Sequence, residues 1–313
     1  MSQVLISVIL PVYNGGAYLK ESVLSVLDQS LPVFELLIVD DCSTDGSYEW
    51  LSSLTDRRIQ LFRNKTNKGL FYNLNFLVNK TTAPLVKLWA QDDIMYPNCL
   101  EGFERFHKAF PQIGFSYCER DHIDQDGVVK LSNHVDDTPA IISPALHARI
   151  AYYTGSIAGN IANVCINRSA LDKVGLFDEG MKISADFDMW VRLAQFFETG
   201  FIKTKLIKLR DHSGQLSRNE KYYINHVRED LKVYRYLDTY VTAAQKQEGH
   251  KIMQTNKLSF YYTLMLKAYL AGKFKTGGKY FRLIAAYQPI LPLTVSFLKA
   301  KLFNKKHQLS FNQ

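Results

Sequence analysis

The sequence lacks the features that mark several common protein classes. Its four cysteines lie far apart and form no Cys-x-x-Cys pair, which argues against a zinc site or a disulfide framework. We therefore expect four reduced, mostly buried thiols. The N-terminus has no basic segment ahead of its apolar run, so it does not resemble a signal peptide. Together these absences predict a cytoplasmic protein.

Two phosphate-binding signatures are also missing. The sequence contains no Gly-x-x-x-x-Gly-Lys-Ser/Thr motif, and no Gly-x-Gly-x-x-Gly follows its first predicted strand, which argues against P-loop and dinucleotide-binding folds. The apolar stretch at residues 283–298 is interrupted by two prolines. It is shorter than the roughly 20 apolar residues that a spanning helix needs.

What remains is an ordinary globular composition with an uneven charge distribution. The chain has 313 residues, 47% of them hydrophobic and 22% charged, as expected for one large domain with an extension or for two small domains. Residues 1–200 hold 17 Lys+Arg and 24 Asp+Glu, whereas residues 201–313 hold 21 and 6. A basic segment attracts phosphate-rich partners, either nucleic acid or anionic lipid.

The first 120 residues alternate between strand and helix patterns. Residues 4–12 form an almost continuous apolar run rich in Val and Ile, typical of a strand buried on both faces. Residues 17–30 repeat apolar side chains at helical spacing. Further strands are predicted at residues 34–39, 59–63, 84–89 and 113–117, and further helices at residues 48–54, 70–79 and 98–110. This alternation predicts an α/β fold, a doubly wound, mostly parallel sheet with helices on both faces.

The pattern loosens after residue 119. We expect a turn at residues 124–127, a polar loop at 133–144, and helices at 169–174 and 185–197. Tyr- and Lys-rich helical stretches follow residue 219. The sequence therefore predicts two parts, an α/β domain at residues 1–218 and a basic, mainly helical C-terminal region at residues 219–313.

Polar side chains follow three of the predicted strands, where ligands bind in an open α/β sheet. Asn14 follows the first strand, Asp40-Asp41 the second and Asp92-Asp93 the fourth. A single Asp could simply cap the next helix. Two converging pairs of carboxylates repel each other unless a divalent metal or a donor-rich ligand lies between them. A signalling receiver domain also gathers acidic residues at strand ends, but it would occupy a much shorter chain.

Several segments, taken in order, resemble the family 2 glycosyltransferases with the GT-A fold. They are residues 7–14, 39–47, 67–70 with Asn75, Gln91-Asp92-Asp93, 174–179, 185–190, and Arg210-Asp211-His212 with Ser217 beyond. The resemblance covers about residues 4–218. Each segment is short, but the ordered set is specific.

This resemblance implies an inverting, metal-assisted transfer of one sugar from a nucleotide-sugar, most often a UDP-sugar, to a hydroxyl of a glycan or lipid-linked acceptor. Asp41 would read the base of the nucleotide, Asp92 would hold its ribose side, and Asp93 would ligate Mn²⁺ or Mg²⁺ at the diphosphate. His212 would approach the metal or the diphosphate, and Asp186 would be the general base. The other residues implied to bind the donor are Pro11, Tyr13, Asn14, Asn67, Gly69, Asn75 and Gln91.

The general base is a choice between Asp186 and Asp188. Two residues along a helix correspond to about 200°, so the two cannot share a face, and the resemblance favours Asp186. Ser184 is placed to cap the helix, which would favour the ionised form of Asp186 and make it a weaker base. Ala185 stands where the family usually has Glu. That difference is the one hint of a second interpretation, a relative that binds nucleotide-sugar without catalysis.

The basic C-terminal region allows two interpretations. Residues 283–298, followed by Lys299, Lys301, Lys305 and Lys306, fit a segment lying on an anionic membrane surface. They fit equally a helical cap packed on the catalytic domain. No nucleic-acid-binding motif is present, so we expect no nucleic acid partner, and a peripheral position on the cytoplasmic face of a membrane is the alternative to a purely cytoplasmic one.

Overall fold

A computed structural model describes residues 3–131 and 136–303 of the chain. Part of the predicted polar loop (residues 133–135), together with Lys305 and Lys306, lies outside these residues, and the side chain of Ser217 is not described.

The first half of the fold alternates strands and helices as the apolar pattern predicts. Its elements are β1 (Ile6–Val12), α1 (Leu19–Leu27), β2 (Phe34–Asp40), α2 (Ser47–Ser52), β3 (Ile59–Arg63), α3 (Leu70–Val78) and β4 (Leu85–Leu88). Strand β2 is buried along its whole length, and β1 along all but one residue. Their continuous Val/Ile/Leu runs are therefore explained by helices covering both faces.

The second half is more irregular. Its elements are β5 (Ile94–Met95), α4 (Cys99–Ala109), β6 (Ile113–Ile123), β7 (Val129–Lys130), β8 (Ile141–Ile142), α5 (Pro144–Thr154), β9 (Val164–Asn167), α6 (Arg168–Val174), α7 (Ala185–Ala194) and β10 (Glu198–Arg210). The C-terminal helices are α8 (Tyr223–Leu237), α9 (Ala243–Thr255), α10 (Lys257–Leu270), α11 (Phe274–Tyr287) and α12 (Ile290–Phe303).

All the strands belong to one sheet, in which the order β3-β2-β1-β4-β9-β6-β10-β5 is joined by β7 on β6 and β8 on β10. The strands β3, β2, β1 and β4 are parallel. Beyond them β9 runs antiparallel to both β4 and β6, while β6 and β10 are parallel. The α/β fold with a helical C-terminal region is confirmed, and the sheet is parallel in one half and mixed in the other.

The C-terminal helices pack on the α/β part rather than standing apart from it. One hydrophobic cluster contains Ile9 and Leu37 of the sheet, Trp190 of α7, and Ile284 and Leu293 of α11 and α12. Within the described residues no single helix is long and apolar enough to cross a membrane. Helix α11 and residues 290–299 of α12 reach that length together, but they are bent by 101°.

Smaller expectations have mixed outcomes. All four cysteines are free, and three are buried, as predicted. The apolar face of α7 with Trp190, Leu193 and Ala194 is buried core. The 13-residue strand β10 is missing from the sequence prediction, because Lys203, Lys205 and Lys208 interrupt its apolar pattern. It lies next to β6, and register shifts between the two strands hide the simple alternation of a half-buried strand.

The close contact between α9 and α5 gives a test of this packing. A Cβ at Gly249 of α9 would lie 2.4 Å from Cδ1 of Tyr152 in α5. We expect Gly249→Ala to lower the free energy of unfolding by about 1–3 kcal/mol. Gly278→Ala in α11 is the control, since its nearest neighbour would lie 4.0 Å away and Ala favours helix by up to about 1 kcal/mol. Equal stabilities of both variants in urea unfolding would contradict the packing.

Candidate active site

A cavity of about 990 Å³ opens beyond the carboxyl ends of β1, β2 and β4, where open α/β sheets bind ligands. Ten of the twelve site residues expected from the sequence line it, namely Pro11, Tyr13, Asn14, Asp41, Asn67, Gly69, Gln91, Asp92, Asp186 and His212. The structure places the other two, Asn75 and Asp93, behind the cavity wall.

Asp41 organises the loop that enters α3. Its Oδ1 accepts hydrogen bonds from Asn64 Nδ2 and the backbone N–H of Lys68, both at 2.8 Å. Its Oδ2 accepts from the backbone N–H of Gly69, also at 2.8 Å. Gly69 has a φ of 90°, a left-handed conformation that favours glycine. A buried carboxylate therefore fixes this loop against the cavity wall.

The turn after β1 is held from two sides. The Gln91 side chain accepts from the backbone N–H of Tyr13 at 2.9 Å and donates to its carbonyl at 3.1 Å. Asn14 takes a left-handed φ of 48°, and its Oδ1 accepts from the backbone N–H of Thr44 at 2.9 Å. The main chain is thus fixed, while the Tyr13 ring stays half exposed at the cavity.

Asp92 and His212 come together on the cavity wall, 120 residues apart in sequence. Their Oδ2 and Nε2 atoms are 2.9 Å apart, and both side chains are partly exposed. Carboxylate and imidazole are ligand types for divalent metals. Among residues 3–131 and 136–303, no three His, Cys, Asp or Glu side chains are grouped to hold a metal by themselves. Further ligands would have to come from a bound diphosphate or from water.

Asp93 does not line the cavity, although it follows Asp92 directly. Its side chain is buried, and Oδ1 accepts from the backbone N–H of Arg210 at 2.9 Å. Burial, and then the charge of Asp92, raise the pKa of Asp93 well above its usual range. The metal role of Asp93 stays a prediction, while Asp92 lies beside His212 on the cavity wall.

The side chain of Asn75 is also used in hydrogen bonds behind the cavity wall. Its Nδ2 donates to the Phe177 carbonyl at 2.9 Å and to Glu179 Oε1 at 2.8 Å, and its Oδ1 accepts from the Phe177 backbone N–H. It therefore supports Glu179, which lines the cavity. Glu179 is missing from the predicted site, although it ends one of the segments that carry the family resemblance.

Asp186 lies in the first turn of α7 and faces the cavity. Burial, and then the charge of Asp230, raise its pKa to about 7. The expected cap is not formed, because Ser184 Oγ donates to Asp230 at 2.6 Å. This raised pKa is opposite to the shift expected from helix capping. Asp188 pairs with Arg192 at 2.8 Å instead.

Arg210 ends β10 with a buried guanidinium that connects the pieces of the site. Nη2 lies 2.6 Å from Glu21 Oε2 of α1, and Nε donates to the Asp92 carbonyl at 3.0 Å. Nη1 donates to the carbonyls of Asp124 and Gln125. These contacts join α1, the loop after β4, the turn after β6 and β10. The sequence gives only an indirect signal for this role, the spacing of Arg210 and His212.

The raised pKa of Asp186 predicts a specific pH dependence of stability. Between about pH 4 and 7 the folded protein binds a proton that the unfolded chain has released, so this group's contribution to stability falls as the pH rises through 7. Asp186→Asn has no such carboxyl and does not lose this stability. We expect the Tm of Asp186→Asn minus the Tm of the wild type to rise by about 3 °C or more from pH 5 to pH 8.5.

Asp188→Asn, which loses an ion pair on the same helix, is the matched control for this measurement. Its Tm difference from the wild type should stay constant over the same pH range. A constant difference for Asp186→Asn as well would contradict the raised pKa.

Comparison with known proteins agrees with the family resemblance. The sequence model of "Glycosyl transferase family 2" matches residues 7–163, half of the chain. An uncharacterized glycosyltransferase of Rickettsia prowazekii is 30% identical over 218 residues, covering 67% of this chain and 65% of the relative. The chain thus spans just under two thirds of that relative's length.

A further relative and a solved structure carry more descriptive names. The putative teichuronic acid biosynthesis glycosyltransferase TuaG of Bacillus subtilis is 36% identical over 123 residues, covering 37% of this chain and 49% of TuaG. In fold, the chain is similar to S. aureus TarS 1-349 solved in complex with UDP-GlcNAc, with a TM-score of 0.68 and 16% identity over 90% of this chain and 80% of that one. The match of the family sequence model, supported by the Rickettsia relative, shows that the chain belongs to glycosyl transferase family 2.

Proposed function

We propose that this protein is an inverting glycosyltransferase that moves one sugar from a UDP-sugar to a hydroxyl of a glycan or lipid-linked acceptor. The observation that carries the proposal is one cavity lined by Asp41 and its loop, by the Asp92–His212 pair and by Asp186. The solved TarS structures with UDP-GlcNAc and UDP support a UDP donor, and the name of TuaG supports a glycan acceptor.

A divalent metal, Mn²⁺ or Mg²⁺, fits the Asp92–His212 pair as part of this proposal. The pair offers one carboxylate and one imidazole at the cavity, and Mg²⁺ commonly binds one or two carboxylates together with substrate phosphates. A bound metal would neutralise charge that develops on the leaving diphosphate. Asp92 and His212 would hold it there, with Arg210 fixing the main chain of Asp92 from behind.

Asp186 would accept the proton of the acceptor hydroxyl. A base with a pKa of about 7 is ionised to a useful extent at neutral pH and still accepts protons readily, which is the compromise that general base catalysis favours. A positioned base contributes about 10²- to 10⁴-fold in rate. Asp41, Gln91 and Asn14 would fix the donor-side wall, so that the sugar faces Asp186.

The first experiment is thermal unfolding with UDP, GDP, CDP or dTDP, each with and without Mn²⁺. We expect UDP with Mn²⁺ to raise Tm by several degrees, since a ligand at 100 times its Kd adds about 2.7 kcal/mol. Asp92→Asn should lose the Mn²⁺-dependent part of the shift. Asp211→Asn, which faces Lys130 and Arg218 beside the same motif, should keep it.

Turnover separates an enzyme from a non-catalytic binder. Release of UDP from UDP-GlcNAc and other UDP-sugars should fall by 10²-fold or more in Asp186→Asn, with the UDP-induced Tm shift retained. Asp188→Asn should retain both. A wild type that binds UDP but releases none from any UDP-sugar, with or without glycan acceptors, would favour the non-catalytic alternative.

We also propose that the protein works in the cytoplasm on an anionic membrane surface, held by the face formed by Lys267, Leu270, Lys273, Phe274, Lys275, Lys279, Phe281 and Arg282. Residues 249–313 contain eleven Lys and Arg and no Asp or Glu. Leu270 and Phe274 are 88% and 70% exposed. Within the described parts of the chain, no cation of this face lies within ion-pair distance of a carboxylate.

The position of this basic apolar face supports the proposal. Phe274 and Phe281 are two turns apart on α11, and Lys275 and Arg282 each follow one residue later, so rings and cations form neighbouring stripes. The side of α11 that packs into the core carries Ile284, which lies about 180° around the helix from Lys275. Helix α11 contacts α8, and Tyr222, just before α8, lines the cavity. The face and the cavity are thus linked through α8.

Vesicle sedimentation tests this proposal. We expect the protein to bind vesicles of phosphatidylcholine with 30% phosphatidylglycerol, and Lys275→Gln/Lys279→Gln/Arg282→Gln to bind about tenfold more weakly or worse, since each cation near such a surface contributes about 1 kcal/mol. Phe274→Ser/Phe281→Ser should also bind more weakly. Phe196→Ser is the control, because Phe196 is an exposed aromatic residue distant in sequence from this face. Equal sedimentation of all variants would contradict the proposal.

A further inference from the structure

Two consecutive carboxylates of α8 are buried against the segment that carries Asp186. Glu229 is 4% exposed. Its carboxylate accepts hydrogen bonds from the backbone N–H groups of Lys182, Ile183 and Ser184 at 2.9–3.1 Å. These three consecutive amides immediately precede α7. A carboxylate at this place both satisfies the free amides and complements the helix dipole.

Asp230 fixes the same segment from the side. Its Oδ1 accepts from Ser184 Oγ at 2.6 Å, and its Oδ2 accepts from Tyr261 O–H at 2.6 Å. Lys257 Nζ lies 2.5 Å from the same Oδ2, and His226 Nε2 lies 3.4 Å from it. Lys257 also lies 5.4 Å from the ring centre of Phe187, the residue after Asp186.

These groups belong to a set of titratable side chains around the start of α7. From α8 they are Asp230, Glu229, His226 and Tyr234, and from α10 they are Lys257 and Tyr261; the cavity side adds Glu179 and Lys182. The negative charge of Asp230 raises the pKa of Asp186, and the positive charge of Lys257 lowers it. The two neighbours therefore act on the same carboxyl in opposite directions.

We infer that Glu229 and Asp230, balanced by Lys257, are positioning residues that hold the start of α7 so that Asp186 is presented to the acceptor hydroxyl. This inference rests on the proposed role of Asp186 as the base. It assigns part of the active site to helices that lie beyond the residues matched by the family sequence model. It also places a carboxylate next to Asp186 although position 185 is Ala.

Opposite charge changes give opposite outcomes, which a general loss of packing would not. We expect Asp230→Asn to move the acidic limb of the pH profile of kcat/KM for UDP release from UDP-GlcNAc to lower pH by at least about half a unit. Lys257→Met should move it to higher pH by a similar amount. The double variant, which removes both charges together, should return the limb close to the wild-type position. Unshifted limbs in both single variants would overturn the inference.

Asp238→Asn is the matched control. Asp238, also from α8, accepts from Tyr152 O–H at 2.6 Å and pairs with Lys246 at 3.3 Å, but it does not contact the α7 segment. It should lose stability without shifting the limb. If the single variants at 230 and 257 fail to fold, Glu229→Gln is the deciding variant. Its kcat should fall at least tenfold while the UDP-induced Tm shift stays unchanged. An unchanged kcat would overturn the inference.

A readout without turnover separates this inference from the proposed function. The pH at which the Tm difference between each variant and its Asp186→Asn derivative changes also reports the pKa of Asp186. Opposite shifts of this pH in Asp230→Asn and Lys257→Met, with no UDP release by the wild type, would support the charge arrangement and refute the catalytic role. UDP release by the wild type with no shift in either measurement would support the catalytic role and refute the charge arrangement.

Discussion

The buried guanidinium of Arg210 is the interaction on which the geometry of the site depends. Taking such a charge out of water is costly unless nearly every donor is satisfied, and here one carboxylate and three main-chain carbonyls do so. Each acceptor belongs to a different turn or helix near the cavity, apart from the adjacent carbonyls of Asp124 and Gln125. Because the Arg210 main chain also binds Asp93, the end of β10 and the loop after β4 are held in one register. That register brings His212 to Asp92.

The sequence predicts the donor-binding side of the site better than the side that carries the general base Asp186. Strands β1, β2 and β4 are mostly apolar, and polar residues at the ends of parallel strands must converge. Asn14, Asp41 and Asp92 could therefore be placed together by pattern alone. The resemblance added Asp186 and His212. The strand that delivers His212 remained hidden, because its lysines and its register shifts break the alternation by which a strand is recognised.

The sequence pattern does not predict which way individual side chains point. Asp92 and Asp93 are neighbours, and only the main-chain path after β4 decides which carboxylate faces the cavity and which one is buried behind it. The same holds for Glu229 and Asp230, which no local pattern marks as more than polar residues of a helix. Their partners lie about 45 residues earlier in the chain. The division into residues 1–218 and 219–313 remains a prediction, although one hydrophobic cluster contains residues of both parts.

The nest of amides at Lys182, Ile183 and Ser184 has a consequence for the order in which the molecule is made. Residues 182–184 are synthesised before residues 229, 230 and 257, so in the nascent chain these three amides bind water instead of Glu229. Asp186 lacks its supporting contacts until most of the protein has been made. At about 5–20 residues per second, that interval lasts several seconds. The donor-side wall, whose contacts join residues 11–92, can form during it, whereas the acceptor-side wall waits for the C-terminal helices.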